Sequence, residues 1–165
     1  MAKHLFIIRH AKSDWSFDVR DFERPLNARG FKNAPQMALR LAQYSVLPQH
    51  LVSSPAKRAI TTAQIFAEHL KMPVKNIQTD NRMYEAALNT LFQIINELDD
   101  RHDSVALFGH NPSFTLLTNY FADENVYNIP TCGIVHLRFD DAEDWASLSE
   151  GTGKLAWFAY PRDGE

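Results

Sequence analysis

Leu5-Phe6-Ile7-Ile8-Arg9-His10-Ala11 is the stretch on which the fold of this chain turns. Four large apolar residues in succession read as a strand buried on both faces. An arginine and a histidine follow directly, where that strand leaves its sheet. In open α/β sheets, ligands bind in the crevice beyond the C-terminal ends of the strands. The chain therefore presents a guanidinium and an imidazole together on stiff backbone. That pair suits an anion, and phosphate first.

Outward from this strand, strand-like and helix-like runs alternate, which predicts an α/β fold. The first strand spans about Lys3 to Arg9. The polar stretch Ser13 to Arg29 is long for a loop and reads as functional. A helix over about Phe31 to Tyr44 sets Phe31, Ala34, Ala38 and Leu41 on one stripe. His50 to Ser53 is a short strand. Ser54 and Pro55 then read as N-cap and first helical residue of a helix running to about Lys71. Its inward positions are Ile60, Ala63, Ala67 and Leu70. A weak strand near Ile77, a helix over about Asn89 to Leu98 and a buried strand over Ser104 to Phe108 follow. Gly109-His110-Asn111-Pro112 ends that strand and opens another helix. Gly133 to Phe139 and Lys154 to Tyr160 read as strands, joined by a loop over Asp140 to Gly153 that looks exposed. The expected architecture is a three-layer α/β/α sandwich with a mostly parallel central sheet.

Composition narrows the class. A chain of 165 residues with 45% hydrophobic content suits one globular domain, residues 1–165. A net charge of -3 argues against nucleic acid as a partner. The single cysteine, Cys132, admits no internal disulfide and points to a reducing, cytoplasmic setting. No apolar run approaches the roughly 20 residues of a membrane span, so no membrane partner is expected. The short apolar run followed at once by charge does not read as a signal peptide.

Three segments share the same plan of strand, polar turn, then loop or helix. They are Ile8-Arg9-His10, Ser53 to Arg58, and Phe108 to Pro112. In a parallel sheet these turns converge at one edge, where helix N-termini add free N–H groups. The expected site contains Arg9, His10, Arg58 and His110. Two arginines can hold phosphate oxygens and offset transition-state charge. One neutral imidazole can attack phosphorus if its other nitrogen is held as N–H. The second histidine can donate to phosphate, most strongly when protonated. This chemistry needs neither metal nor cofactor.

These residues resemble the histidine phosphatase superfamily, the phosphoglycerate-mutase-like proteins. The Arg-His-Gly motif of that family appears as Arg9-His10-Ala11. Its Ser-Pro-x-x-Arg-Ala-x-x-Thr-Ala segment appears as Ser54 to Ala63, and its Gly-His-Asn-Pro-like turn as Gly109 to Pro112. Arg24-Pro25-Leu26-Asn27-Ala28-Arg29-Gly30 resembles the start of the family's first helix. Each motif alone is ordinary; three in order, over residues 3 to about 120, are specific. The short chain and the Arg-His-Ala-Lys-Ser form look most like the small phosphohistidine phosphatases of SixA type. The resemblance implies His10 as nucleophile and Arg9, Arg58 and His110 as phosphate ligands. Ser13 is a further candidate for lining the pocket.

The proton donor is the open assignment. Glu85 lies roughly where family members carry a catalytic acid, with Asp80 and Glu23 as competitors. An alkoxide leaving group needs such an acid, whereas imidazole is far less basic and leaves without one. The expected substrate is phosphohistidine on a protein such as a histidine phosphotransfer domain. The alternatives are a small phosphorylated metabolite, or a phosphate-binding scaffold without catalysis. His4, His50, His69, His102 and His136 read as packing or surface residues, and Lys12 as a rim charge. Cys132 and Arg138 have the spacing of a cysteine-phosphatase loop. The alternation of Val135, Leu137 and Phe139 reads instead as a strand.

Overall fold

The computed structural model describes residues 2–162. Its elements run β1 (Lys3–Arg9), α1 (Ala28–Ala42), β2 (His50–Ser53), α2 (Lys57–His69), β3 (Gln78–Thr79), α3 (Leu88–Asn96), β4 (Ser104–Gly109), α4 (Ser113–Ala122), β5 (Ile134–Phe139) and β6 (Lys154–Ala159). The six strands form one sheet in the order β3-β2-β4-β1-β5-β6. The first four run parallel, β5 pairs antiparallel with β1, and β6 pairs antiparallel with β5.

The apolar run of β1 is explained by its place. It is flanked by β4 on one side and β5 on the other, with Ile8 opposite both Phe108 and Ile134. Leu5 and Ile7 point toward α3 and α4, while Phe6 and Ile8 point toward α1 and α2. This gives three layers, with cores on both faces of the sheet. All four side chains are fully buried. Truncating any of them to alanine costs about 2–5 kcal/mol.

Four local expectations are corrected. Phe31 was expected on the buried stripe of α1 but is 52% exposed. The helix starts earlier, at Ala28, because the Asn27 side chain caps it by accepting from the Gly30 N–H. Gly30 then rests on the Lys12 backbone, where a Cβ would meet the Lys12 carbonyl oxygen at 2.2 Å. That contact turns Ala34, Met37, Ala38 and Leu41 inward and Phe31 out.

Ser54 is not the N-cap of α2; Ala56 holds that position. The strand pattern persists one residue further, with Ser54 N–H donating to Phe108 O at 2.9 Å. The following proline also keeps residue 54 extended. Arg58, Ala59, Thr62, Ala63, Phe66 and Ala67 are the buried residues of α2, while Ile60 and Leu70 are half-buried. Pro112 likewise stands just before α4 rather than in its first turn. Asn111 Oδ1 caps that helix by accepting from Thr115 N–H at 3.2 Å.

The loop between β5 and β6 is not simply exposed. It carries Trp145, fully buried, whose Nε1–H donates to His102 O at 2.8 Å. The indole closes the core beneath α3, with Asn96 of that helix donating to Trp145 O at 2.8 Å. Among the described residues no helix is long and apolar enough to cross a membrane.

Candidate active site

β2, β4 and β1 are neighbours and parallel, so their C-terminal ends share one edge. After β1 the chain enters α1 on one face of the sheet; after β4 it enters α4 on the other. Such a reversal opens a crevice between the two strands. The turn after β1 brings His10 to it, the turn after β4 brings His110, and the turn after β2 brings Ser54 and Arg58.

His10 is 7% exposed, and its Nδ1 lies 2.7 Å from Ala11 O. A carbonyl only accepts, so Nδ1 carries the proton and Nε2 keeps a free lone pair. Burial, together with the charges of Arg58, Arg9 and the nearby His110, pushes the His10 pKa down to about 3. That outweighs the upward pull of the bond to Ala11. The turn itself is locked by backbone. His10 N–H donates to Gly109 O at 3.0 Å, and Cys132 N–H donates to both Arg9 O and His10 O at 3.0 Å. Ala11 N–H donates to Thr62 Oγ1 at 3.0 Å, tying the turn to α2.

His110 faces His10 with ring centroids 5.3 Å apart. Its Nε2 lies 2.8 Å from Ser54 Oγ. Burial and the charges of Arg58, Arg24 and Arg9 push its pKa down to about 4, with Asp21 pulling the other way. In the protein alone His110 is therefore neutral at physiological pH, not protonated as the sequence-based expectation of a strong phosphate donor would favour.

Arg9 donates from Nη1 to Ile129 O at 2.9 Å. Arg58 donates to Asp21 twice, to the backbone carbonyl at 2.7 Å and to Oδ2 at 3.0 Å. Yet Arg9 Nε, Arg58 Nε and His110 Nδ1 are buried and make no hydrogen bond among the described residues. Each such group costs about 1–3 kcal/mol when left unsatisfied. Three together, two of them cationic, describe a cradle for an anion.

Two residues of this edge escaped the sequence reading. Arg24 is 7% exposed and packs its guanidinium 3.6 Å from the centre of the Trp15 ring. Its Nε donates to Ser13 Oγ at 3.0 Å, and it pairs with Asp21. Ser13 thus supports an arginine of this edge. The signal was present in Arg24-Pro25, a cation inside a long functional loop. Asp21 is the other, its carboxylate lying between Arg24, Arg58 and the Tyr84 hydroxyl.

The expected carboxylates make no ion pair with the arginines of this edge among the described residues. Glu85 is exposed on a turn with φ 55°, and its side chain makes no hydrogen bond or ion pair among the described residues. Asp80 is held by Arg82 at 2.7 Å, and Glu23 lies 3.7 Å from Arg20 on the surface. Cys132 is buried and its thiol is pushed up by that burial, while Arg138 is exposed on β5 and pairs with Asp140. This pair does not form a phosphate loop. Charge and not volume marks the site. A cleft of about 490 Å³ between Gln49, His50, Lys71 and His102 lies at the opposite edge of the sheet.

Comparison with known proteins agrees with this fold. An uncharacterised protein of Mycobacterium tuberculosis is 28% identical over 94% of this chain and 100% of its own length. The solved structure of a candidate phosphohistidine phosphatase SixA from Agrobacterium tumefaciens superposes with a TM-score of 0.81 at 26% identity. That match covers 96% of this chain and 98% of the other. A mycobacterial glucosyl-3-phosphoglycerate phosphatase shares the fold with a TM-score of 0.70 at 15% identity, covering 94% of this chain and 98% of its own. The profile of the histidine phosphatase superfamily (branch 1) matches residues 5–92, a span that holds Arg9, His10 and Arg58. With more than half its length matched, the chain belongs to the histidine phosphatase superfamily, branch 1.

Proposed function

We propose that this phosphatase removes phosphate from phosphohistidine on a protein through a covalent phosphoryl group on His10. The observation that carries the reading is the set of buried, unpaired donors from Arg9, Arg58 and His110 beside the free Nε2 of His10. Phosphate oxygens would satisfy those donors while phosphorus faces the imidazole. His10 Nε2 attacks phosphorus, and the bond from phosphorus to the substrate nitrogen breaks. The departing ring, protonated on its far nitrogen near neutral pH, leaves as neutral imidazole. Water then attacks phosphorus, and the P–Nε2 bond breaks. Because Nδ1 keeps its proton against Ala11 O, His10 also leaves as neutral imidazole. Inorganic phosphate takes the oxygen of water, and the protons of water pass to it or to solvent.

The exposed setting of Glu85 supports phosphohistidine over alkyl phosphates. A carboxyl group that no hydrogen bond holds in place is a poor donor to a basic alkoxide, and imidazole needs none. The test is a single-turnover reaction with a phosphohistidine protein, without added metal. An acid-labile phosphoryl group should appear on His10, and His10→Ala should lose it along with turnover. An unlabelled wild type, or an active His10→Ala, overturns the mechanism. Faster turnover of an alkyl monoester that depends on Glu85 overturns the substrate class.

A further inference from the structure

Asp21 lies against the cations of the cradle from three directions. Its Oδ2 accepts from Arg58 Nη2 at 3.0 Å and from the Tyr84 hydroxyl at 2.6 Å. Its Oδ1 accepts from Arg24 Nη1, and its backbone carbonyl accepts from Arg58 Nη1 at 2.7 Å. Arg58 is thus gripped by one residue through both side chain and main chain. Tyr84 is itself packed edge-on against His110, with ring centroids 5.8 Å apart. Partial burial raises the Asp21 carboxyl, but the bonds from Tyr84, Arg24 and Arg58 outweigh it and hold it well below the usual carboxylate range. An anion of this kind uses N–H groups, and cancels charge, that a phosphate would otherwise command.

We infer that Asp21 is a positioning residue and an internal counter-anion: it aims Arg58 and Arg24 and weakens the hold of the pocket on phosphate, so that product leaves. The inference rests on the phosphatase reading of the cradle. Removing the negative charge leaves the Arg58–carbonyl bond intact and raises the positive potential at the phosphate position. Half of the Asp21 side chain faces solvent, which screens the effect. The expected gain in phosphate affinity is therefore on the order of threefold to tenfold.

The test is calorimetric titration of inorganic phosphate into wild type, Asp21→Asn and Asp21→Glu, with phosphate inhibition of turnover measured in parallel. Asp21→Asn should bind phosphate more tightly and show stronger product inhibition, while Asp21→Glu, which keeps the charge, should stay near wild type. A purely structural role predicts the opposite sign, since a loosened Arg58 would bind phosphate less well. If wild type binds phosphate and Asp21→Asn binds it equally or more weakly, the inference fails and the cradle reading stands. If no protein of the set binds phosphate, both fail.

Discussion

Ser54 Oγ and His110 Nε2 lie 2.8 Å apart, joining the turn after β2 to the turn after β4. The hydroxyl also accepts from Ala56 N–H at 3.2 Å, so its remaining proton is free to point at the imidazole. When Ser54 donates to Nε2, His110 must carry its own proton on Nδ1, the buried nitrogen that faces the cradle unpaired. In the proposed pocket, one serine thereby selects the tautomer that can donate to phosphate. It does so only because residue 54 remains extended and does not begin the helix.

Ser54→Ala should therefore lower kcat/KM by about tenfold, the scale of one buried hydrogen bond. The loss should appear with little change in the single-turnover labelling end-point on His10. Stability should fall by about 1–2 kcal/mol, which thermal unfolding will read as a drop of a few degrees. Unchanged kcat/KM with lowered stability would reduce Ser54 to a turn residue.

Arg24 acts on His110 through its charge. Its charge helps keep His110 neutral, and its side chain is fixed by Ser13, Asp21 and Trp15. Arg24→Lys keeps the charge but loses the Nε–Ser13 bond and the flat packing on the indole. It should cost about tenfold in kcat/KM, and Arg24→Ala about a hundredfold. Ser13→Ala should fall between wild type and Arg24→Lys. Steady-state kinetics on one phosphorylated substrate orders the four proteins; a Ser13→Ala loss as large as that of Arg24→Ala would return Ser13 to the pocket itself.

The parts legible in the sequence were those set by local pattern. The apolar run of β1, the turn residues before α2 and α4, and the basic residues at those turns all follow from periodicity and turn chemistry. Asp21 was not legible because two of its partners are distant in sequence: Arg58 and Tyr84 meet it only once the sheet has formed. Arg24 has its partners in its own loop, where no periodicity marks a cation that will be buried. Trp145 hid for the same reason, in a polar loop whose one indole reaches across to the carbonyl of His102. Phe31 misled because an apolar stripe tells the period of a helix but not its rotation, which Gly30 sets by touching Lys12.

That contact makes Gly30 a sensitive position. A Cβ there would stand 2.2 Å from the Lys12 carbonyl oxygen, a backbone atom one residue beyond Ala11. Gly30→Ala should destabilise the fold by about 2–3 kcal/mol and disturb the His10 turn, lowering activity as well. Gly151→Ala is the matched control. Its φ is +70° but nothing lies within 4 Å, so it should cost about 1 kcal/mol and leave activity intact. Urea unfolding and turnover on both variants separate crowding at the site from ordinary backbone strain.

Stability should fall as the solution is made acidic, well above the range where carboxylates titrate. His10, His110 and His136 are buried, and burial first, then neighbouring positive groups, push their pKa values down to about 3, about 4 and about 4. In the unfolded chain each titrates near 6.5. Between pH 6.5 and about 4 the unfolded chain thus binds protons that the folded protein does not, so unfolding is favoured as pH drops. The contribution of each histidine is fully present above its unfolded value and is lost through this window, by about 1.4 kcal/mol per pH unit for each group. His136 is the cleanest probe because it lies on the α1 side of the sheet, bonded to His4 and to the Tyr44 hydroxyl at 2.9 and 2.8 Å. His136→Gln keeps a hydrogen-bonding side chain without the titration. Urea unfolding at pH 7, 6 and 5 should show a steep loss for wild type and a shallower one for His136→Gln. Parallel curves for the two proteins would mean that His136 protonates inside the fold as readily as outside it.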